Sequence, residues 1–342
     1  MINTLIIDDS PLARDIIRDF LEEDGAFKII GEAADGEEGI EKILALNPDL
    51  VTLDLEMPKK NGLEVIEAVM KETSVPIVVI TSHGTAKTAY EATLRGALEF
   101  YPKNIFTPSL PPEKRREIHE SLKRISGIKA RKPKTFEKPF PEAAPESPPE
   151  KRKIQAVLIA SSTGGPKALS SIFSLIPGDF PVPIVIVQHN SSGFDKSFVQ
   201  WLDSYTKLRV KLAEEGESPE AGTVYIAQTD KHLELVKKGE GTCLFHYNNN
   251  APENNQRPAA DVLFRTAALS LGDSLISLVL TGMGSDGALG TLKIRQEGGI
   301  TLAQDEDSSL IYGMPKAAVE TGSVDMQLPL DGIARELIRL TK

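Results

Sequence analysis

Three short polar loops in the second half of this 342-residue chain carry the residue types of an activated hydroxyl. Ser161-Ser162-Thr163-Gly164-Gly165-Pro166 follows an apolar run at 156–160, and Gln188-His189-Asn190 follows another at 184–187. Gly282-Met283-Gly284-Ser285-Asp286-Gly287 follows a third, at 276–281. A hydroxyl in a Gly-rich turn ahead of a helix meets unpaired N–H groups and the positive end of the helix dipole. That environment suits a nucleophile whose product is an oxyanion, and it also suits a bound phosphate. An imidazole with a pKa near neutrality supplies a base, and a carboxylate can hold the imidazole. Taken singly, His189 reads as a structural histidine and Asp286 as a turn or cap residue. If the three runs are parallel strands of one sheet, their loops share its carboxyl edge and a serine, His189 and Asp286 meet there. The remaining histidines follow no comparable loop.

A second set lies in the first half. Asp8 and Asp9 end one apolar run, Asp54 ends another, and Thr81 and Lys103 follow two more. An isolated Asp at a strand end is ordinarily a cap. Three carboxylates brought together repel one another unless a hard divalent cation such as Mg²⁺ lies among them. An ammonium and a hydroxyl beside them suit a phosphoryl group carried on a carboxylate oxygen.

These residues need two parallel sheets to position them. In the first half, apolar runs at 4–7, 27–30, 50–53, 77–80 and 99–101 alternate with helical spacings such as Leu12, Ile16 and Phe20. Five such units predict an open parallel sheet covered on both faces. In the second half, runs at 156–160, 184–187, 224–227, 276–281 and 300–303 alternate with helical patterns near 167–176, 194–205, 259–271, 288–296 and 331–340. A hairpin is expected over 232–247. The predicted fold is α/β throughout: two doubly wound parallel-sheet domains, one over 1–126 and one over 153–342. Residues 127–152 hold six prolines and many charges, which predicts a tether spanning roughly 25–30 Å.

Composition excludes several classes. With 39 basic against 49 acidic residues, the net charge of −10 argues against nucleic acid as the main partner. Cys243 is the single cysteine, so no internal disulfide forms, and its strand-like context predicts a small core residue in a reducing cytoplasm. No apolar run approaches the ~18 residues of a membrane span, so no membrane insertion is expected, and no signal peptide is evident.

The first 105 residues or so resemble response-regulator receiver domains, a likeness carried by Asp8-Asp9, Asp54-Leu55-Glu56-Met57-Pro58, Asn61-Gly62, Thr81 and Lys103. The implied fold is flavodoxin-like. The resemblance makes Asp54 the phospho-acceptor and Asp9 a direct Mg²⁺ ligand, with Asp8 acting through water and the Glu56 carbonyl completing the set. It also makes Thr81 and Lys103 contacts of the phosphoryl group and Phe100 the aromatic switch. Asn104 stands where that family usually has proline after the lysine, so no cis peptide is expected there.

The second half resembles the chemotaxis receptor methylesterases, the CheB family, which also carry a receiver domain. The likeness rests on Ser161 to Pro166, Val187-Gln188-His189, Arg257-Pro258 with Asp261-Val262-Leu263-Phe264, Leu280 to Gly287, and Thr301-Leu302-Ala303-Gln304 with Gly313-Met314-Pro315. It implies a Rossmann-like esterase domain that hydrolyses γ-glutamyl methyl esters on chemotaxis receptors and deamidates receptor glutamines. Ser162 is then the nucleophile, His189 the general acid/base and Asp286 its orienting carboxylate, with oxyanion donors among the amides near Thr163 and Met283. The implied partners are methyl-accepting receptors as substrate and a chemotaxis histidine kinase as phosphodonor. The unphosphorylated receiver is expected to block the catalytic edge. Where the family reads Asn-x-His-Arg-Pro-Ser-Val-Asp, this chain has Asn254-Asn255-Gln256-Arg257-Pro258-Ala259-Ala260-Asp261. The rival readings of the second half are a non-catalytic partner-binding module and a DNA-binding module, the latter disfavoured by the acidic balance.

Overall fold

The computed structural model describes residues 1–82, 86–128, 153–239 and 242–342. Two compact units divide the chain. In the first, β1 (Ile2–Ile7), β2 (Phe27–Ala33), β3 (Leu50–Leu53), β4 (Ile77–Thr81) and β5 (Glu99–Pro102) form a parallel sheet in the order β2-β1-β3-β4-β5. That is the flavodoxin-like order expected from the receiver likeness, with its switch point between β1 and β3. Local sequence sets the helix starts. Ser10 caps α1 (Pro11–Glu23) with Pro11 in its first turn, and Asn61 with Glu64 makes a capping box at α3 (Gly62–Glu72). The helices α2 (Gly36–Leu46), α4 (Ala86–Arg95) and α5 (Pro112–Ser126) complete the unit. β3 and β4 are buried along their whole length and β1 from Thr4 onward, because both faces of the sheet are covered.

The second unit holds a seven-stranded parallel sheet in the order β14-β13-β12-β6-β7-β9-β8. Its strands are β6 (Ala156–Ser161), β7 (Ile184–Gln188), β8 (Arg209–Leu212), β9 (Thr223–Ile226), β12 (Leu275–Val279), β13 (Ile300–Gln304) and β14 (Met326–Leu328). The helices are α6 (Gly165–Phe173), α7 (Asp195–Asp203), α8 (Ala260–Leu271), α9 (Ala288–Gln296), α10 (Met314–Glu320) and α11 (Leu330–Thr341). The expected hairpin is β10 (His232–Lys238) paired with β11 (Thr242–Asn248). Cys243 is buried on β11, in one core with Leu158, Val187, Tyr225, Phe245 and Phe264. Strand order reverses between β6 and β12, which pair side by side, so the switch-point crevice opens beyond their carboxyl ends.

Three elements had no clear sequence signature. β8 is a short edge strand with Arg209 and Lys211 in its four residues, β14 has three residues, and α10 spans seven. None is long enough to show a period. The tether predicted over 127–152 lies outside the described residues beyond 128, as does His83. No helix among the described residues is long and apolar enough to cross a membrane.

Candidate active site

Ser162 is the first residue past β6 and His189 the first past β7, and these strands are neighbours in register, with Ser161 opposite Gln188. The His189 amide donates to the Ser161 carbonyl at 2.9 Å, and the Ser162 amide donates to the Thr281 carbonyl at 3.1 Å. The 161–166 turn, the 188–190 loop and the 282–287 loop therefore share one edge. The Gln188 side chain ties two of them. Its Oε1 accepts from Ser161 Oγ at 2.7 Å, and its Nε2 donates to the Ser162 carbonyl at 3.1 Å and the His189 carbonyl at 2.9 Å. Gly164 turns the chain into α6 at φ +80°, where a side chain would be strained and would press on Leu310. Gly282 has no room for a Cβ either: it would lie 2.7 Å from Ser162 Cβ.

The imidazole of His189 is joined to Asp286 through Nε2 and Oδ2 at 2.8 Å. A carboxylate acceptor at Nε2 fixes the ring proton there, which leaves Nδ1 with its lone pair. Nδ1 is buried and has no hydrogen-bond partner among the described residues, so Ser162 Oγ and the ring are not hydrogen-bonded in this state. Such contacts are often long in free enzymes and tighten with substrate. Asp286 is 1% exposed, and the N-terminus of α8 points at it. Ala260 N–H donates to Oδ2 at 2.6 Å and Asp261 N–H to Oδ1 at 3.0 Å, with Gly287 N–H on Oδ1 at 3.1 Å. Burial alone would raise the Asp286 pKa. The His189 hydrogen bond and charge, together with the α8 amides, outweigh burial and hold the carboxyl below its ordinary range.

Both residues expected near an oxyanion border this turn. Thr163 is buried, and its carbonyl takes a hydrogen bond from Thr281 Oγ1 at 3.0 Å. The Met283 amide has no acceptor among the described residues. Thr281 is held in turn by Gln304, whose Oε1 accepts from the Thr281 amide at 2.8 Å.

In the first unit, Asp8, Asp9 and Asp54 offer carboxylate oxygens that all lie within 4.8 Å of one another. Lys103 Nζ is 2.7 Å from both Asp8 Oδ2 and Asp54 Oδ2. The Leu55 amide holds Asp54 Oδ1 at 2.7 Å, and the Ser10 amide holds Asp8 Oδ1 at 2.9 Å. Burial pushes the Asp8 carboxyl up, against the pull of Lys103. Burial also works against the Lys103 ammonium, but Asp54 and Asp8 more than compensate and raise its pKa. The donor set is all oxygen and anionic, with one ammonium standing in for a cation, so these residues fit a hard divalent ion such as Mg²⁺. The Glu56 side chain is exposed and outside the cluster, which leaves its backbone carbonyl as the group it would contribute. Thr81 is buried at the end of β4. Phe100 is buried with its ring edge-on to Tyr90, centroids 4.9 Å apart. The peptide after Lys103 is trans, as Asn104 predicts.

The family model for CheB methylesterase matches residues 157–337, and that for the response regulator receiver domain matches residues 4–111. A Pyrococcus abyssi protein named protein-glutamate methylesterase/protein-glutamine glutaminase is 39% identical over 356 aligned residues, covering 99% of this chain and 93% of the relative. The chain belongs to the CheB methylesterase family. A Thermotoga maritima relative of the same name is 38% identical, covering 99% of this chain and 98% of its own. The crystal structure of the Thermotoga maritima CheB methylesterase catalytic domain has a TM-score of 0.54 at 42% identity, covering 55% of this chain and 99% of that one. The output half is thus a methylesterase domain, not a partner-binding or DNA-binding module.

Several side chains that build this site escaped sequence reasoning. Gln188, Thr281, Gln304 and Asp261 sit inside the motifs that carry the family likeness and Asn254 just ahead of one, yet nothing in their spacing assigns them work. Their roles include hydrogen bonds across up to 118 residues of sequence, visible only once the loops meet.

Proposed function

We propose that this chain is a phosphorylation-activated protein-glutamate methylesterase of chemotactic adaptation. It removes methyl esters from glutamate side chains of methyl-accepting chemotaxis receptors, releases methanol, and deamidates receptor glutamines. Its receiver domain spans 1–126, its tether 127–152 and its catalytic domain 153–342, and it works in the cytoplasm with a chemotaxis histidine kinase as phosphodonor. The observation that carries the reading is the 2.8 Å hydrogen bond between His189 Nε2 and Asp286 Oδ2, directly beside the Ser162 turn.

In the reaction, Ser162 Oγ attacks the ester carbonyl as its proton passes to His189 Nδ1, the nitrogen left without a partner. Positive charge on the ring is balanced by Asp286, which the α8 amides keep anionic. The amides of Thr163 and Met283 hold the developing oxyanion, and each such donor contributes roughly 10²–10³ in rate. The Nδ1 proton then goes to the methoxy oxygen, methanol leaves, and Ser162 carries the acyl group. Water attacks that ester with His189 again taking the proton, and glutamate and free Ser162 are regenerated.

In the receiver, Asp54 accepts the phosphoryl group, while Lys103 and Thr81 contact its oxygens. Asp8, Asp9, Asp54 and the Glu56 carbonyl would hold Mg²⁺, which offsets the charge of the transferred group when bound. Phosphorylation adds roughly −1.5 to −2 charge at this edge, and Phe100 responds to it beside Tyr90. The test is methanol release from a methylated receptor, with and without a small phosphodonor. Wild type should release methanol and be stimulated, Asp54→Asn should lose the stimulation, and Ser162→Ala should be inactive. Normal turnover by Ser162→Ala would overturn the triad, and a response unaffected by Asp54→Asn would overturn the control.

A further inference from the structure

A feature of the 254–261 segment is not used by the triad itself. Asp261 is fully buried, yet it is a second carboxylate next to Asp286. One side-chain amide spans the two: Asn254 Nδ2 donates to Asp261 Oδ2 at 2.8 Å and lies 3.3 Å from Asp286 Oδ1. Asn254 itself is exposed, so it roofs a pair of buried acids from the solvent side. Its backbone is left-handed, φ +55°, at the tip of a turn closed by reciprocal amide–carbonyl bonds between Glu253 and Gln256. That turn is anchored by the paired contacts of Glu253 with Arg265 on α8, both at 2.9 Å. From below, the Gly290 amide of α9 donates to Asp261 Oδ1 at 2.6 Å.

Resting on the Ser162–His189–Asp286 reading, we infer that Asn254 and Asp261 are positioning residues for ester hydrolysis, and that the proton on Asp261 switches how firmly Asp286 holds His189. Asp286 oxygens already serve three backbone amides and the imidazole, so the Asn254 amide is shared between this carboxylate and Asp261. When Asp261 is ionised, it draws that amide to itself, and the negative charge of Asp286 stays directed at His189. When Asp261 is protonated, the amide moves towards Asp286 Oδ1 and draws negative charge away from Oδ2, the oxygen that holds the imidazole. Burial raises the Asp261 pKa to about 6, the Asp286 and Glu253 charges add to the rise, and the Gly290 and Asn254 hydrogen bonds oppose it. The switch therefore works just below neutrality.

The titratable groups around Asp261 are few. From the 282–287 loop there is Asp286, which reaches His189. From the 253–256 turn there is Glu253, already neutralised by Arg265 of α8. From β10 there are Glu234, engaged with Asn248, and His232, whose Nδ1 accepts the Ala259 amide while Nε2 faces the Ala251 carbonyl. α9 presents the Gly290 amide, and its Lys293 is turned to Glu297. The apparent titration belongs to the Asp261–Asp286 pair as a unit.

The experiment is kcat/KM for methanol release by the full phosphodonor-treated chain across a pH series, with each variant expressed as a ratio to wild type so that receiver titrations cancel. Asn254→Gly keeps the left-handed backbone and removes only the amide. With no amide to hand over, it should lose the part of the acid limb that depends on Asp261, so that its ratio to wild type rises as the pH falls below neutrality. Asp261→Asn should be about tenfold slower than wild type above the limb and should titrate with one proton fewer. The inference is overturned if both variants follow the wild-type profile, or differ from it by one factor at every pH. Should Asp261→Asn fail to fold, Asn254→Gly decides alone. Ser162→Ala run alongside separates the two ideas: its activity would sink the triad, whereas an inactive Ser162→Ala with unshifted Asn254→Gly sinks only this inference.

Discussion

Replacing Gln188 with methionine keeps the bulk of a side chain that is only 2% exposed and removes all of its hydrogen bonding. Three hydrogen bonds go: Ser161 Oγ loses its acceptor, the His189 carbonyl loses its donor, and the Ser162 carbonyl is left with the Gly165 amide alone. At about 1 kcal/mol for each, the loss comes to about 3 kcal/mol. In a catalytic domain of this size that lowers the melting temperature by about 6–12 °C. On the proposed triad the larger effect is on rate, because the same amide sets the spacing of Ser162 and His189. A misplacement of ~1 Å between reacting groups costs about 10²-fold, and kcat should fall by that order with KM little changed. The assay pairs thermal unfolding with methanol release in Gln188→Met and in Ser161→Ala/Gln188→Met. Deleting both members of the buried Ser161–Gln188 pair should restore about 1 kcal/mol. It should leave the rate low, since the amide that tied the two carbonyls together is still missing. If rate returns in step with stability, or if Gln188→Met turns over within about twofold of wild type, the spacing argument is wrong.

Other outcomes follow from the same geometry. Asp286→Asn puts an amide where both oxygens accept backbone N–H groups, so no orientation satisfies the site. Methanol release should drop by about 10⁴-fold in a protein that circular dichroism shows to be folded. Gly282→Ala drives a methyl into Ser162 Cβ and the Met314 sulfur. Overpacking of about 1–3 kcal/mol should slow labelling of Ser162 by a fluorophosphonate, and unchanged labelling would contradict the placement. In the receiver, the Asp8 carboxyl sits above its ordinary range because of burial, so its proton competes with Mg²⁺ at higher pH than an ordinary carboxylate would. Mg²⁺ titrations between about pH 4 and pH 7 should show affinity falling well before the usual carboxylate pKa of about 3.9 is reached. A flat response down to that value would refute the burial argument.

The sequence by itself determined the alternation of apolar runs with helical spacings, and with it two parallel sheets and the edge on which chemistry gathers. That follows because strands buried on both faces are predominantly apolar, as β6, β7 and β12 are. It also brought a serine of the 161–166 loop, His189 and Asp286 to one edge, since loops that follow parallel strands share it, and the family likeness singled out Ser162. Short edge elements such as β8 and β14 were not legible, because three or four residues carry no period and their pairing comes from the neighbouring strand. The tertiary structure alone decided which nitrogen of His189 meets Asp286, that Gln188 joins two loops, and that Asn254 spans two buried acids. Those are properties of distances between segments far apart in the chain. A hydrogen bond depends on a few tenths of an ångström and on an angle, and neither is written in residue type or spacing.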